Sequence, residues 1–189
     1  MASTVGHALC GVSCLLGVIA ASPGRSIRCT YRSAGLFAVL ANLPDIDFIA
    51  GYLLASNAHA FHQGATHTLI FAAAAGLLVG CLWGRPYGLW PASVVFIATI
   101  LSHDVIDMLT GPAPGFNRSP GLALFWPFDT TVISAPVTIF PGINHLTIEE
   151  FVRWHNVVAV AHEIVVFMPV IALLYVWGRN RGSRTTRAG

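Results

Sequence analysis

GLWPASVVFIATILSHDVIDML, residues 88–109, runs uncharged as far as Ser102 and then places His103, Asp104 and Asp107 in its last turns. A helix needs about 20 apolar residues to cross a hydrocarbon core of ~30 Å, so the segment is long enough to span and carries ionisable groups at one end. His103 and Asp107, spaced i and i+4, put an imidazole and a carboxylate on one helix face. Outward from it, four further stretches read as spans: approximately 5–22, 33–54, 67–84 and 156–178. The chain of 189 residues is 55% hydrophobic and only 10% charged, against about 25% charged in soluble domains. That deficit excludes an ordinary soluble fold.

The expected architecture is therefore all-α, a polytopic membrane helix bundle of about five transmembrane helices. Residues 1–178 form a single integral membrane domain and 179–189 a basic cytoplasmic tail. No basic residue precedes the first apolar run, and this argues against a cleaved signal peptide. All ten cations are Arg. Arg25, Arg28 and Arg32 fall between spans one and two, Arg85 between three and four, and Arg179, Arg181, Arg184 and Arg187 after span five. Cytoplasmic loops concentrate such residues, which puts the N-terminus outside and the C-terminus in the cytoplasm. A nucleic-acid partner would require a basic patch or stripe, and none is present. Cys10 and Cys14 share one apolar run, with Cys29 and Cys81 apart, so the cysteines read as packing residues.

Acids and histidines take the opposite side. All eight His and all eight acids fall in outer loops or the outer halves of spans. Counted from the cytoplasmic ends, His7, His67, His103, His162 and Asp47 lie some 21–24 Å up at about 1.5 Å per residue, one polar layer in the outer leaflet. A lone His in a span is as readily an interhelical hydrogen bond as a ligand. A whole layer, costly to insert and directed inward, points to a shared pocket, and imidazoles with carboxylates suit Zn²⁺, Mn²⁺ or Fe.

In NLPDIDFI, residues 42–49, Pro44 restricts Leu43 and removes a backbone donor, predicting a broken helix at LPDID. Asp45 and Asp47 would diverge on a regular helix, and the break can aim both at the pocket. In SNAHAFHQGATHT, residues 56–68, Gly64 permits a tight turn that leaves His67 at the start of span three, with His62 beside it and His59 nearer the rim. The long outer segment of about 110–155, rich in Gly, Pro and aromatics, is expected to fold over the pocket or dip into the interface. Its Arg118 and Arg153 either pair with Asp129 or Glu150 or clamp a phosphate. Thr147 and Glu150 form a capping-box pattern leading towards His155 and His162, two turns apart on one face. Pro169 is expected to kink that last helix.

His7, then LPDID, FHQGATHT, SHDVIDMLT and a downstream FWPF occur in an order that resembles the YdjM-like family of bacterial inner-membrane proteins, known as membrane-bound metal-dependent hydrolases. The resemblance covers most of the chain to about residue 130. It implies a multi-pass bacterial inner-membrane protein with metal ligands among His7, Asp45, Asp47, His62, His67, His103 and Asp107. The family usually reads closer to HRGxTHS where this chain has HQGATHT, so Gln63 replaces an Arg near the site.

The expected function is a hydrolase holding one or two divalent ions, Zn²⁺ favoured, with the site facing the periplasmic side. Asp104 or Glu163 would act as general base, and Arg118, Arg153, His155 and His162 would bind substrate. Depth in the outer leaflet favours a membrane lipid or lipid-linked phosphate. The competing class is a divalent-metal or proton-coupled transporter, since such residues also mark ion pathways. The cytoplasmic halves hold no acid and no His, and a floor of that kind fits an enzyme better than a conduit.

Overall fold

The computed structural model describes residues 1–22, 28–84, 88–145 and 147–185. Its helices are α1 (Thr4–Ala21), α2 (Tyr31–Ala41), a 3₁₀ turn (Leu43–Asp45), α3 (Ile46–Ala55), α4 (Leu69–Trp83), α5 (Leu89–Met108), α6 (Ile148–Phe151) and α7 (Trp154–Thr185). Three of them, α1, α5 and α7, are long and apolar enough to cross a membrane. A fourth span arises if the pair α2 and α3, bent by 58° at the Pro44 break, counts as one.

The expected third span departs from this pattern. Thr68 accepts a hydrogen bond from Phe71 N and starts α4 only at Leu69, giving 15 residues and a rise of about 22 Å, short of ~30 Å. At the other end α7 continues to Thr185 with Pro169 inside it, so the first part of the expected tail is helical. The capping pattern at Thr147 starts only the short α6, Glu150 N donating to Thr147 Oγ1, and α7 begins separately at Trp154. Of the cations that set the expected orientation, Arg25, Arg85 and Arg187 lie outside the described residues. The four cysteines are free.

α1 packs against α7 and α2, and α4 against α5. Small residues allow the close approaches. A Cβ on Gly76 or Gly80 would meet Ile97 or Ser93 of α5, and one on Gly11 would meet the Phe37 carbonyl, the small-residue packing typical of membrane helices. The core on the inner side of these contacts is apolar, built from Leu15, Phe37, Leu40, Phe96 and Ile100. Outward-facing surfaces are apolar too. The α7 window has a mean hydropathy of 2.4 with only 17% of it buried, a surface that belongs against lipid rather than water.

The segment between α5 and α6 has pairing of its own among the described residues. Thr110–Gly111 (β1) pairs in parallel with Phe140–Pro141 (β2), and bridges join Gly115 to Thr138 and Leu122 to Ile133. Leu69 N donates to Leu124 O, tying this segment to the start of α4.

Candidate metal centre

Pro44 makes the site possible through the backbone. With the helix broken, Asp45 N bonds to Asn42 O rather than continuing the α-helical ladder, and the Ala41 carbonyl is left free. It accepts a hydrogen bond from His103 Nδ1 at 2.9 Å. A carbonyl can only accept, so the proton is on Nδ1 and His103 Nε2 presents a lone pair.

His67 is oriented in the same way by a different partner. Its Nδ1 lies 3.3 Å from Asp47 Oδ2 and 3.2 Å from Thr66 Oγ1, whose hydroxyl donates to the same carboxylate oxygen. Gln63 N also donates to Asp47 Oδ2. Both atoms beside Nδ1 are acceptors, so Nδ1 is the donor and His67 Nε2 presents a lone pair. Carboxylate or carbonyl on one nitrogen, with the other left bare, is the arrangement that orients metal-binding histidines.

The two bare nitrogens face each other. His67 Nε2 and His103 Nε2 are 3.1 Å apart, and Asp45 Oδ1 stands 3.8 and 3.5 Å from them. Asp107 Oδ2 adds a further acceptor 3.6 Å from His103 Nε2. Asp45 Oδ1 and Asp107 Oδ2 are buried without a hydrogen-bond donor, and His67 and His103 are fully buried. Buried acceptors facing acceptors repel, and unpaired buried charge is expensive. A cation removes both costs. A triangle with these edges has a point about 2.0 Å from all three atoms, the Zn–N and Zn–O bond length, so the residues fit a divalent ion.

Two further groups flank this triad. His7 stacks on His103, with ring centroids 3.7 Å apart, and its Nε2 is 3.3 Å from Asp107 Oδ1, which also accepts from Ala2 N. On the other side His62 Nδ1 lies 3.4 Å from Asp47 Oδ1. Three overlapping groups able to hold an ion result: His7, His103 and Asp107; Asp45, His67 and His103; Asp47, His62 and His67. All seven sequence-derived ligands are thus brought together. Asp104 is buried beside them, with both carboxylate oxygens unpartnered.

The remaining sequence candidates lie elsewhere. Glu163 is fully buried, but at the first turn of α1, where it accepts from Ser3 N at 2.8 Å and from the Ser3 hydroxyl. An anion is favoured at that helix end, and in this position Glu163 caps α1. His155 Nε2 donates to Gly142 O and His162 Nε2 to Ile139 O, so both fasten α7 to the outer segment. His162 belongs to none of the three groups. Arg118 and Arg153 are exposed and are not drawn into it.

Sequence reasoning missed the Ala41 carbonyl, Thr66 and the Gln63 amide. Thr66, one residue before His67, was the readable signal of the three. The backbone groups have none, since any residue supplies them.

The same chain matches the YdjM inner membrane protein family over residues 1–181. It belongs to that family. Inner membrane protein YbcI of Escherichia coli (strain K12) is 27% identical over 148 residues, covering 76% of this chain and 82% of YbcI. No solved structure matches. Within this YdjM-family chain, Gln63 stands at the position noted above, with φ 60°, and reaches Asp47 through its backbone amide. The bond therefore does not depend on which side chain occupies position 63.

Proposed function

We propose that this inner-membrane protein is a metal-dependent hydrolase whose centre acts on a phosphoester, in particular a lipid or lipid-linked phosphate. The observation that carries the reading is the convergence of His67 Nε2, His103 Nε2 and Asp45 Oδ1, three acceptors with no donor among them. Asp45, His67 and His103 would hold the ion, Zn²⁺ by donor chemistry with Mn²⁺ or Fe as other fits. Bound there, a divalent ion polarises a phosphoryl oxygen and lowers the pKa of water.

The protein's own groups divide the remaining work. Asp47 and the Ala41 carbonyl hold the two imidazoles in the lone-pair-outward tautomer. Asp107 and His7 offer a second ligand set through the shared His103, enough for a second ion. Asp104, buried with two free oxygens, is the group available to take a proton.

A site towards the periplasm, with the short α4 as a fifth crossing, fits the placement of charge. Arg181 Nη1 donates to Ala20 O, so the C-terminal end of α7 lies beside the C-terminal end of α1, with Arg179 nearby in sequence. The metal groups sit at the opposite end of α1, at His7, and at the C-terminal end of α5. Beneath them the apolar core of Leu15, Phe96 and Ile100 favours a closed floor over an ion pathway.

The test is turnover of purified full-length protein against vesicles containing phosphatidate or a polyprenyl monophosphate. Metal-dependent phosphate release that disappears in Asp45→Asn is expected. Inert lipid phosphoesters, together with metal uptake into proteoliposomes, would replace the hydrolase with a transporter.

A further inference from the structure

His67 and His103 of the inner triad are fully buried and the Asp45 side chain is only 13% exposed, so a divalent ion that reaches them gives up most of its hydration shell, which is costly without replacement ligands on the way. Three imidazoles outside the triad supply such ligands. His62 stacks on Phe48 with ring centroids 4.2 Å apart, and His59 and His145 pack edge-on against the same ring at 5.2 and 5.8 Å. The histidine centroids themselves are 5.0 Å (His59 and His145), 5.8 Å (His62 and His145) and 6.4 Å (His59 and His62) apart. The point equidistant from the three centroids is about 3.4 Å from each, a few tenths of an ångström beyond the ~3 Å at which a ligating imidazole stands from its ion, so the three rings reach one ion once they turn and close in slightly.

Their surroundings point the same way. His59 and His145 line an open pocket of about 430 Å³ together with Asn57, Thr147 and Phe151. His145 Nδ1 donates to Ile143 O at 3.0 Å, which leaves its Nε2 as a bare acceptor, the tautomer His103 adopts at the inner site. His62 Nε2 is buried with no partner, while its Nδ1 already faces Asp47.

We infer that His59, His62 and His145 form an outer metal-binding station through which the divalent ion passes from the open pocket to the buried Asp45, His67 and His103 site. This rests on the metal reading above. His62 is the hinge of the route, its Nδ1 facing Asp47 of the inner groups and its ring centroid 5.8 Å from that of His145.

The experiment mixes chelator-stripped full-length protein with Zn²⁺ and follows loading by competition with a fluorescent indicator. The His59→Ala/His145→Ala protein should load at least about tenfold more slowly, association rates among variants of one site spanning some 1–3 decades, and reach the wild-type final stoichiometry. The His59→Gln/His145→Gln protein, which keeps bulk without imidazole nitrogens, should be slowed equally. Wild-type rates in both variants, or slowing with Ala alone, overturn the entry route while leaving the inner site standing. Absence of bound metal in wild type and variants alike overturns the inner site and the route with it.

Discussion

His67 with His103, and His155 with His162, are two imidazole pairs near the same end of the bundle, and they are used in opposite ways. In the second pair each Nε2 donates to a backbone carbonyl of the outer segment, and the adjacent Glu163 has two donors from Ser3. Each of these Nε2 atoms and both oxygens of the carboxylate have a protein partner, and the result is a fastening. In the first pair the Nδ1 atoms are spent on Ala41 O and Asp47, so the Nε2 atoms meet lone pair to lone pair beside an orphaned carboxylate. The difference shows how to separate structural from functional polar groups inside a membrane: donors and acceptors that balance hold helices together, and acceptors that accumulate call for a cation.

The largest effect should come from removing a member of the unbalanced set. His103→Ala or Asp45→Asn should weaken metal binding by more than about 100-fold, beyond the 10- to 100-fold typical of losing a ligand's supporting partner, as read by equilibrium competition against a chelator. Asp47→Asn tests that lower range. It leaves the ion's proposed ligands in place but replaces the carboxylate that orients His67 with a neutral amide that has a single acceptor oxygen, so affinity should fall by about 10- to 100-fold. A loss as severe as that of Asp45→Asn would move Asp47 from orienting group to ligand.

The balanced region should respond in stability alone. Glu163→Gln replaces a two-acceptor carboxylate with an amide whose NH₂ faces a donor, costing about 1–3 kcal/mol, seen as a lower Tm in detergent with metal content unchanged. His162→Ala removes one hydrogen bond to Ile139 O and should cost about 0.5–1.5 kcal/mol, again without metal loss. If either substitution released metal, the division between the two regions would fail.

Much of the site was legible because its signals are local in sequence. Pro44 announces the break, and the i, i+4 pair His103 and Asp107 announces a shared face. That His7, Asp47, His67 and His103 would meet was legible as well, since a residue count along the spans puts them at one level. Direction around the helix axis was not: the same count includes His162, yet it bonds to Ile139 while its neighbour Glu163 turns to Ser3, because rotation is decided by which helix packs alongside. The short α4 escaped for a related reason. Hydropathy measures how apolar 67–84 is, whereas Thr68, by capping, decides where the helix starts. The groups that orient the ligands were the least visible, because the Ala41 carbonyl and the Gln63 amide are backbone atoms exposed by a break and a turn.

The central claim is that the converging acceptors hold a resident divalent ion. Elemental analysis of full-length protein purified without chelator tests it most directly. The account predicts at least one equivalent of divalent metal per chain in wild type and in Glu163→Gln, and its loss in His103→Ala. Wild-type protein without stoichiometric metal, or a His103→Ala protein that retains it, would contradict the account.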